Sequence, residues 1–112
     1  MKLLTPALLL FLAAAASLPA CAAPPSPQDD QRARGALVFA DTGCRHCHTI
    51  RNVGGTKGPD LSGVGRRRSE GQIRAQVIEG SKTMPPFGEV LKESELDDLV
   101  AYLHSCRDKT KK

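Results

Sequence analysis

Tryptophan is absent from these 112 residues, and the aromatics amount to three phenylalanines and one tyrosine. Phe11 sits in an N-terminal apolar stretch, which leaves Phe39, Phe87 and Tyr102 for a folded interior. That is little for a free-standing domain of about 90 residues, which needs a sizeable core or a staple. The deficit predicts that something other than protein completes the interior. No segment alternates apolar and polar residues over a strand's length, so no strand is expected, and no segment repeats. Charge is nearly balanced, with 16 Lys and Arg against 12 Asp and Glu, a formal net of +4. With no nucleic-acid-binding motif beside it, so modest an excess argues against a nucleic-acid partner.

The N-terminus reads as a targeting segment. Lys2 supplies a positive start, and residues 3–16 are apolar apart from Thr5 and Pro6. The stretch is too short, with the wrong flanks, for a comfortable membrane span. A retained short anchor is the alternative. Residues 1–20 are therefore expected to be a signal peptide. Leu18-Pro19-Ala20-Cys21 resembles a bacterial lipobox, in which the cysteine becomes the lipidated first residue. Pro19 departs from the usual small residue, and Ala20-Cys21-Ala22 also satisfies the small-x-small rule of ordinary cleavage. The reading adopted is lipid on Cys21, which ties the mature chain to a membrane. Residues 21–28, with Pro24, Pro25 and Pro27, form a tether. Residues 29–112 make one domain.

The densest chemistry lies at Cys44-Arg45-His46-Cys47-His48. This is C-x-x-C-H, the attachment motif of a c-type haem. Two thiols at that spacing can reach both vinyl groups on one edge of a porphyrin. The next residue then lies beneath the ring, where its imidazole can bind iron. A zinc site would need Cys106 or His104 as a fourth ligand, with no second close pair. A thioredoxin-like dithiol would want a βαβ context, which is missing. Haem also answers the aromatic deficit.

Helical spacing frames the motif. Ser26 and Pro27 read as N-cap and first residue of a helix carrying Ala33, Leu37 and Ala40, with Gly35 allowing close approach of another helix and Gly43 ending it. Residues 49–65 hold five glycines and no periodicity, which suits a segment lying flat against a large ligand. Residues 69–79 read as a short helix capped by Ser69, with Ile73 and Val77 on one face and Gly80 as stop. A last helix, with Ser94 as expected cap, carries Leu96, Leu99, Val100 and Leu103 at i, i+3, i+4, i+7. Between these two helices, Met84 precedes Pro85 and Pro86 in a loop with little freedom. A thioether is a soft ligand that favours ferrous iron, so Met84 is the expected second axial ligand.

Taken together, the chain resembles the small, single-haem, bacterial class I cytochromes c. The resemblance covers about residues 34–105. It rests on Gly35 and Phe39, on Cys44 to His48, on Gly58-Pro59-Asp60-Leu61, on Met84-Pro85, and on Leu99 to Leu103 with Tyr102. It implies an all-α fold, a small cytochrome c fold with helices wrapped around one covalently bound haem c. It implies that the Pro59 carbonyl accepts a hydrogen bond from His48, fixing the imidazole's tautomer. It also implies that Gly35 and Phe39 meet the Leu99–Tyr102 face where the first and last helices cross. Attachment of haem to such a motif takes place outside the bacterial cytoplasm, so the resemblance places the chain on the periplasmic side.

The expected cofactor-binding residues are thus Cys44, Cys47, His48, Met84 and Pro59, with His48 and Met84 on the metal. His46 is expected to be a spacer, His104 a solvated side chain, and Cys106 an inert leftover thiol. The run Arg66-Arg67-Arg68 is either solvated surface or a contact for haem propionates or an acidic partner. Two strong axial ligands leave no open position for substrate. The expected function is therefore non-enzymatic: a monomer passing single electrons between exported or membrane-bound redox proteins. The alternatives are a haem subunit of a larger dehydrogenase or oxidase, and a ligand-binding haem sensor.

Overall fold

The structure, a computed structural model, describes residues 14–15 and 23–109. The expected signal peptide apart from residues 14–15, and Cys21 with its expected lipid, lie outside the described residues. No helix among the described residues is long and apolar enough to cross a membrane.

Helix α1 spans Pro27–Asp41. It begins where local chemistry says it should: the Ser26 hydroxyl accepts from the Asp29 amide, and the Asp29 carboxylate accepts from the Ser26 amide, both at 3.2 Å. This reciprocal box satisfies two backbone donors that the first turn leaves unpaired. The Ser26 hydroxyl and amide hold the Asp29 carboxyl below its ordinary range. The helix ends at Asp41, where the Thr42 amide returns to the Val38 carbonyl at 3.0 Å. Gly43 then adopts φ +83°, a left-handed turn that suits glycine. It swings the chain into a short 3₁₀ turn, Cys44–His46.

Two strands follow, β1 (Thr49–Ile50) and β2 (Val53–Gly54), paired antiparallel. They correct the expectation that the chain holds no strand. Each is two residues long, too short to show alternation. The turn between them is made by Arg51 and Asn52, both at positive φ (49° and 66°), the conformation of a tight primed hairpin turn. Helix α2, Val64–Arg67, was hidden in the sequence by the glycines before it and the arginines within it.

Helix α3 spans Glu70–Glu79, with Ser69 and Gln72 forming a second capping box. Helix α4 spans Glu93–Ser105. Its cap is Lys92 rather than Ser94, because the Glu95 carboxylate accepts from the Lys92 amide at 2.9 Å. Leu91 and Leu96 are both buried and occupy the positions of a hydrophobic staple around that cap. These two interactions start the helix one turn's fraction before the serine.

The core centres on α4, whose Leu96, Leu99, Val100 and Leu103 are buried with Phe39, Ile73 and Val77. Leu99 is only 1% exposed. Helices α1 and α4 cross at Gly35, where any Cβ would overlap the Asp98 carbonyl and lie 2.6 Å from the Tyr102 Cβ. The expected meeting of Gly35 and Phe39 with the Leu99–Tyr102 stretch is therefore present. The Phe39 and Tyr102 rings meet edge-on with centroids 6.0 Å apart, a favoured aromatic geometry. Arg34 reaches Asp98 across the crossing at 3.0 Å. Arg74 of α3 pairs with Glu93 at 2.8 Å and with Asp97, joining α3 to the start of α4. Such exposed pairs add little energy each and mainly set alignment.

Candidate haem-binding site

A cavity of about 670 Å³ opens between the helical frame and the loops. Cofactor sites commonly fall in the range of about 300–1,000 Å³. Its apolar wall comes from Phe39 of α1, Val64 of α2, Ile73 and Val77 of α3, and Leu99 and Leu103 of α4. Cys44, Cys47, His48, Pro59 and Met84 all line it. The structure therefore brings together the five expected cofactor-binding residues, although Met84 is 36 positions from His48.

The motif is held by its own backbone. The His48 amide donates to the Cys44 carbonyl at 3.0 Å, and the Gly58 amide donates to the Cys47 carbonyl at 2.7 Å. This fastens the glycine-rich segment across the motif. Gly58 has to be glycine here, since a Cβ would lie 2.6 Å from the His48 ring. Next to it, the Pro59 carbonyl lies 2.8 Å from His48 Nδ1. A carbonyl can only accept, so the ring proton sits on Nδ1. That leaves Nε2 with its lone pair free for a metal. Burial pushes the Cys44 thiol up, opposed by the Thr42 hydroxyl beside it.

Met84 is presented by a closed loop. The Ser81 amide donates to the Met84 carbonyl at 2.8 Å, and the Met84 amide donates to the Ser81 hydroxyl at 3.2 Å. The Gln76 amide group lies 3.8 Å from the Met84 sulfur. Gln76 was missed in the sequence. Its position three after Ile73 and one before Val77, on the face turned to the site, was the available signal.

The remaining candidates separate cleanly. His46 is exposed and does not line the cavity. His104 also stands outside it, half-buried, with Nδ1 3.5 Å from Glu70. Cys106 is buried at 5% exposure, its thiol pushed up by that burial. Of the arginine run, Arg67 and Arg68 line the cavity and Arg66 does not. With Lys57 they are the charged groups of the lining, and no carboxylate is among them.

These features fit a haem. The wall is apolar, an imidazole nitrogen is free on a fixed ring, two thiols stand at attachment spacing, and a thioether shares the cavity. The cations at its edge suit the carboxylates of the macrocycle.

Comparison with known proteins agrees. Residues 30–103 match the family described as "Cytochrome C oxidase, cbb3-type, subunit III". A "Cytochrome c-553-like" protein of Synechocystis is 39% identical over 71 residues, 62% of this chain. The chain spans 64%, under two thirds, of that relative's length. The c-type cytochrome SorU of Sinorhizobium meliloti aligns with a TM-score of 0.60 at 25% identity, covering 74% of this chain and 98% of that one. The family match runs from the first turn of α1 to the last turn of α4, and the chain accordingly belongs to that family and is a monohaem class I cytochrome c.

Proposed function

We propose that this chain is an electron carrier with one haem c, which Cys44 and Cys47 would hold covalently and His48 and Met84 would ligate. The observation that supports it best is the convergence of a free imidazole Nε2 and a loop-held thioether on one apolar cavity. When bound, the haem supplies a one-electron couple at its iron. The protein's own residues set the conditions. Cys44 and Cys47 would hold the group covalently. The Pro59 carbonyl keeps the proton on Nδ1, so that Nε2 remains a ligand. Met84 would supply a second ligand to the iron, which disfavours substrate chemistry. Leu99, Leu103, Ile73 and Val77 exclude water, and Lys57, Arg67 and Arg68 present positive charge to an acidic redox partner. The protein works on the periplasmic side as a monomer, held to the membrane by lipid on Cys21. Its donor and acceptor are other redox proteins.

The test is a denaturing gel stained for haem peroxidase activity, paired with the spectrum of the oxidised protein. Covalent haem should remain with the chain, and the red charge-transfer band of methionine ligation should be present. Cys44→Ala with Cys47→Ala should abolish the stain. Haem that survives denaturation in the double variant would overturn the attachment.

A second reading is a haem subunit docked on a larger oxidase, which the description of the matched family favours. Purification from membranes in mild detergent separates the two: a carrier runs alone, and a subunit brings its complex.

A further inference from the structure

The chain does not leave the molecule when α4 ends. Cys106 turns into extended backbone, and the next residues run back over the loop that carries Pro59. The Cys106 carbonyl accepts from the Gly65 amide at 2.9 Å, and the Asp108 amide donates to the Ser62 carbonyl at 3.0 Å. Arg107 reaches the Gly65 carbonyl. A Cβ on Gly63 would lie 2.6 Å from the Asp108 carbonyl oxygen, so the two segments touch along their backbones. Cys106 itself is buried. The family match stops at residue 103, so this segment lies beyond it.

The far side of the same loop is tied as well. The Asp108 carboxylate accepts from Arg51 Nε at 2.9 Å, and the Arg51 amide donates to the Ser62 hydroxyl at 2.8 Å. That hydroxyl donates to the Asp60 carboxylate at 2.6 Å. Asp60 directly follows Pro59, whose carbonyl holds the His48 ring. The hairpin turn, the C-terminal segment and the Pro59 loop thus share one hydrogen-bonded clamp.

We propose that residues 106–108 are a positioning strap for the proximal histidine: by fixing residues 59–65 they keep the Pro59 carbonyl on His48 Nδ1. The inference rests on His48 being the iron ligand, as proposed above. None of residues 106–108 lines the cavity. Its effect passes through the rigidity of one loop, so it should change how often the His48 hydrogen bond opens more than it changes the stability of the whole molecule.

The experiment uses the full holoprotein in the reduced state. Solvent exchange of the His48 Nδ1 proton is followed by nuclear magnetic resonance, and global stability by denaturant unfolding of the same samples. Asp108→Ala and Ser62→Ala cut the clamp from its two sides. Each should speed Nδ1 exchange by about threefold to tenfold, the range expected from losing a hydrogen bond of ordinary net strength. Asp108→Glu should recover part of the protection. Gly35→Ala, at the crossing of α1 and α4 where a Cβ would overlap the Asp98 carbonyl, should lower global stability with no selective effect on Nδ1. Covalent haem should persist in every variant, and the methionine band in an oxidised portion of each, which keeps a failure of the strap distinct from a failure of the haem reading. Nδ1 exchange that is unchanged in both clamp variants, or that rises only as far as the loss of global stability requires, would overturn the strap. A wild-type chain without covalent haem would overturn the proposed function, and the strap's role with it.

Discussion

Between α1 and α4 the protein makes its own interior. A glycine lets the helices touch, two aromatic rings meet edge-on, and Arg34 ties one helix to the other. The loops at 44–68 and 80–88 are different. They contribute few buried apolar side chains of their own, chiefly Ile50 and Val64, and they are held by backbone bonds and serine hydroxyls. What they enclose with the frame is the cavity, and the apolar wall of that cavity is mostly supplied by the helices. The frame therefore stores packing energy, and the loops store geometry. Damage should therefore separate by region: changes in the frame should act on stability, and changes in the loops on the electronic properties of the site.

The largest effect should come from removing the group that both regions share. With Cys44→Ala and Cys47→Ala, the chain loses covalent haem and the apolar faces of α3 and α4 lose what the cavity is shaped to hold. So small an aromatic core should not fold the chain unaided. Circular dichroism should show most of the helical signal lost. A cooperative, helical, haem-free protein would mean that the frame is self-sufficient.

Next in size is a blow to the frame alone. Gly35→Val places a branched side chain against the Asp98 carbonyl and the Tyr102 Cβ. Overpacking of this kind destabilises by about 1–3 kcal/mol. Denaturant unfolding of the holoprotein should show that loss, while the methionine band and the midpoint potential stay near their original values. A shifted midpoint would show that the crossing also tunes the site.

Much of the frame was legible because its signals are local. Ser26 with Asp29, and Ser69 with Gln72, are capping pairs three residues apart, and the α4 stripe lies within two turns. The start of α4 was misread because Leu91 and Glu95 outweigh Ser94, a matter of burial that a propensity does not carry. In the loops, the C-x-x-C-H run announced the cofactor, but the two-residue hairpin was too short to leave a pattern. Cys106 looked like a spare thiol. Its burial depends on contacts with residues some 40 positions away, and no local pattern encodes them. Gln76 lies on the Ile73–Val77 face, a local signal, but its place beside the sulfur depends on where the Met84 loop folds.

Met84→His tests the loops with little involvement of the frame. The iron should remain six-coordinate, because imidazole is also a strong ligand. The midpoint should fall, since imidazole stabilises ferric iron better than a thioether does. A drop on the order of 0.1–0.3 V is expected, a share of the roughly 0.8 V over which axial ligands set haem potentials. Potentiometric titration gives the value, and thermal unfolding should change less than in Gly35→Val. An unchanged midpoint would remove Met84 from the iron.

The smallest effect concerns two carboxylates that make the comparison directly. Asp29 caps α1 in the frame, and Asp60 braces the Pro59 loop. Each is held below the usual carboxylate range, Asp29 by the hydroxyl and amide of Ser26, Asp60 by those of Ser62. Both are exposed, so the energies are small. The sign is the same for each. A folded value below the unfolded one, about 3.9 for aspartate, gives a contribution that is complete above that pH and is lost as pH falls through the folded value. The consequences should nonetheless differ. Asp29→Asn should lower global stability at neutral pH, and its gap from wild type should close as pH falls below about 4. Asp60→Asn should leave unfolding almost unchanged and instead speed exchange of the His48 Nδ1 proton, with that gap closing over the same acid range. If Asp60→Asn destabilises the molecule as a whole and leaves His48 exchange alone, then the loop is packed like the frame, and the division between stored packing and stored geometry fails at the residue next to Pro59.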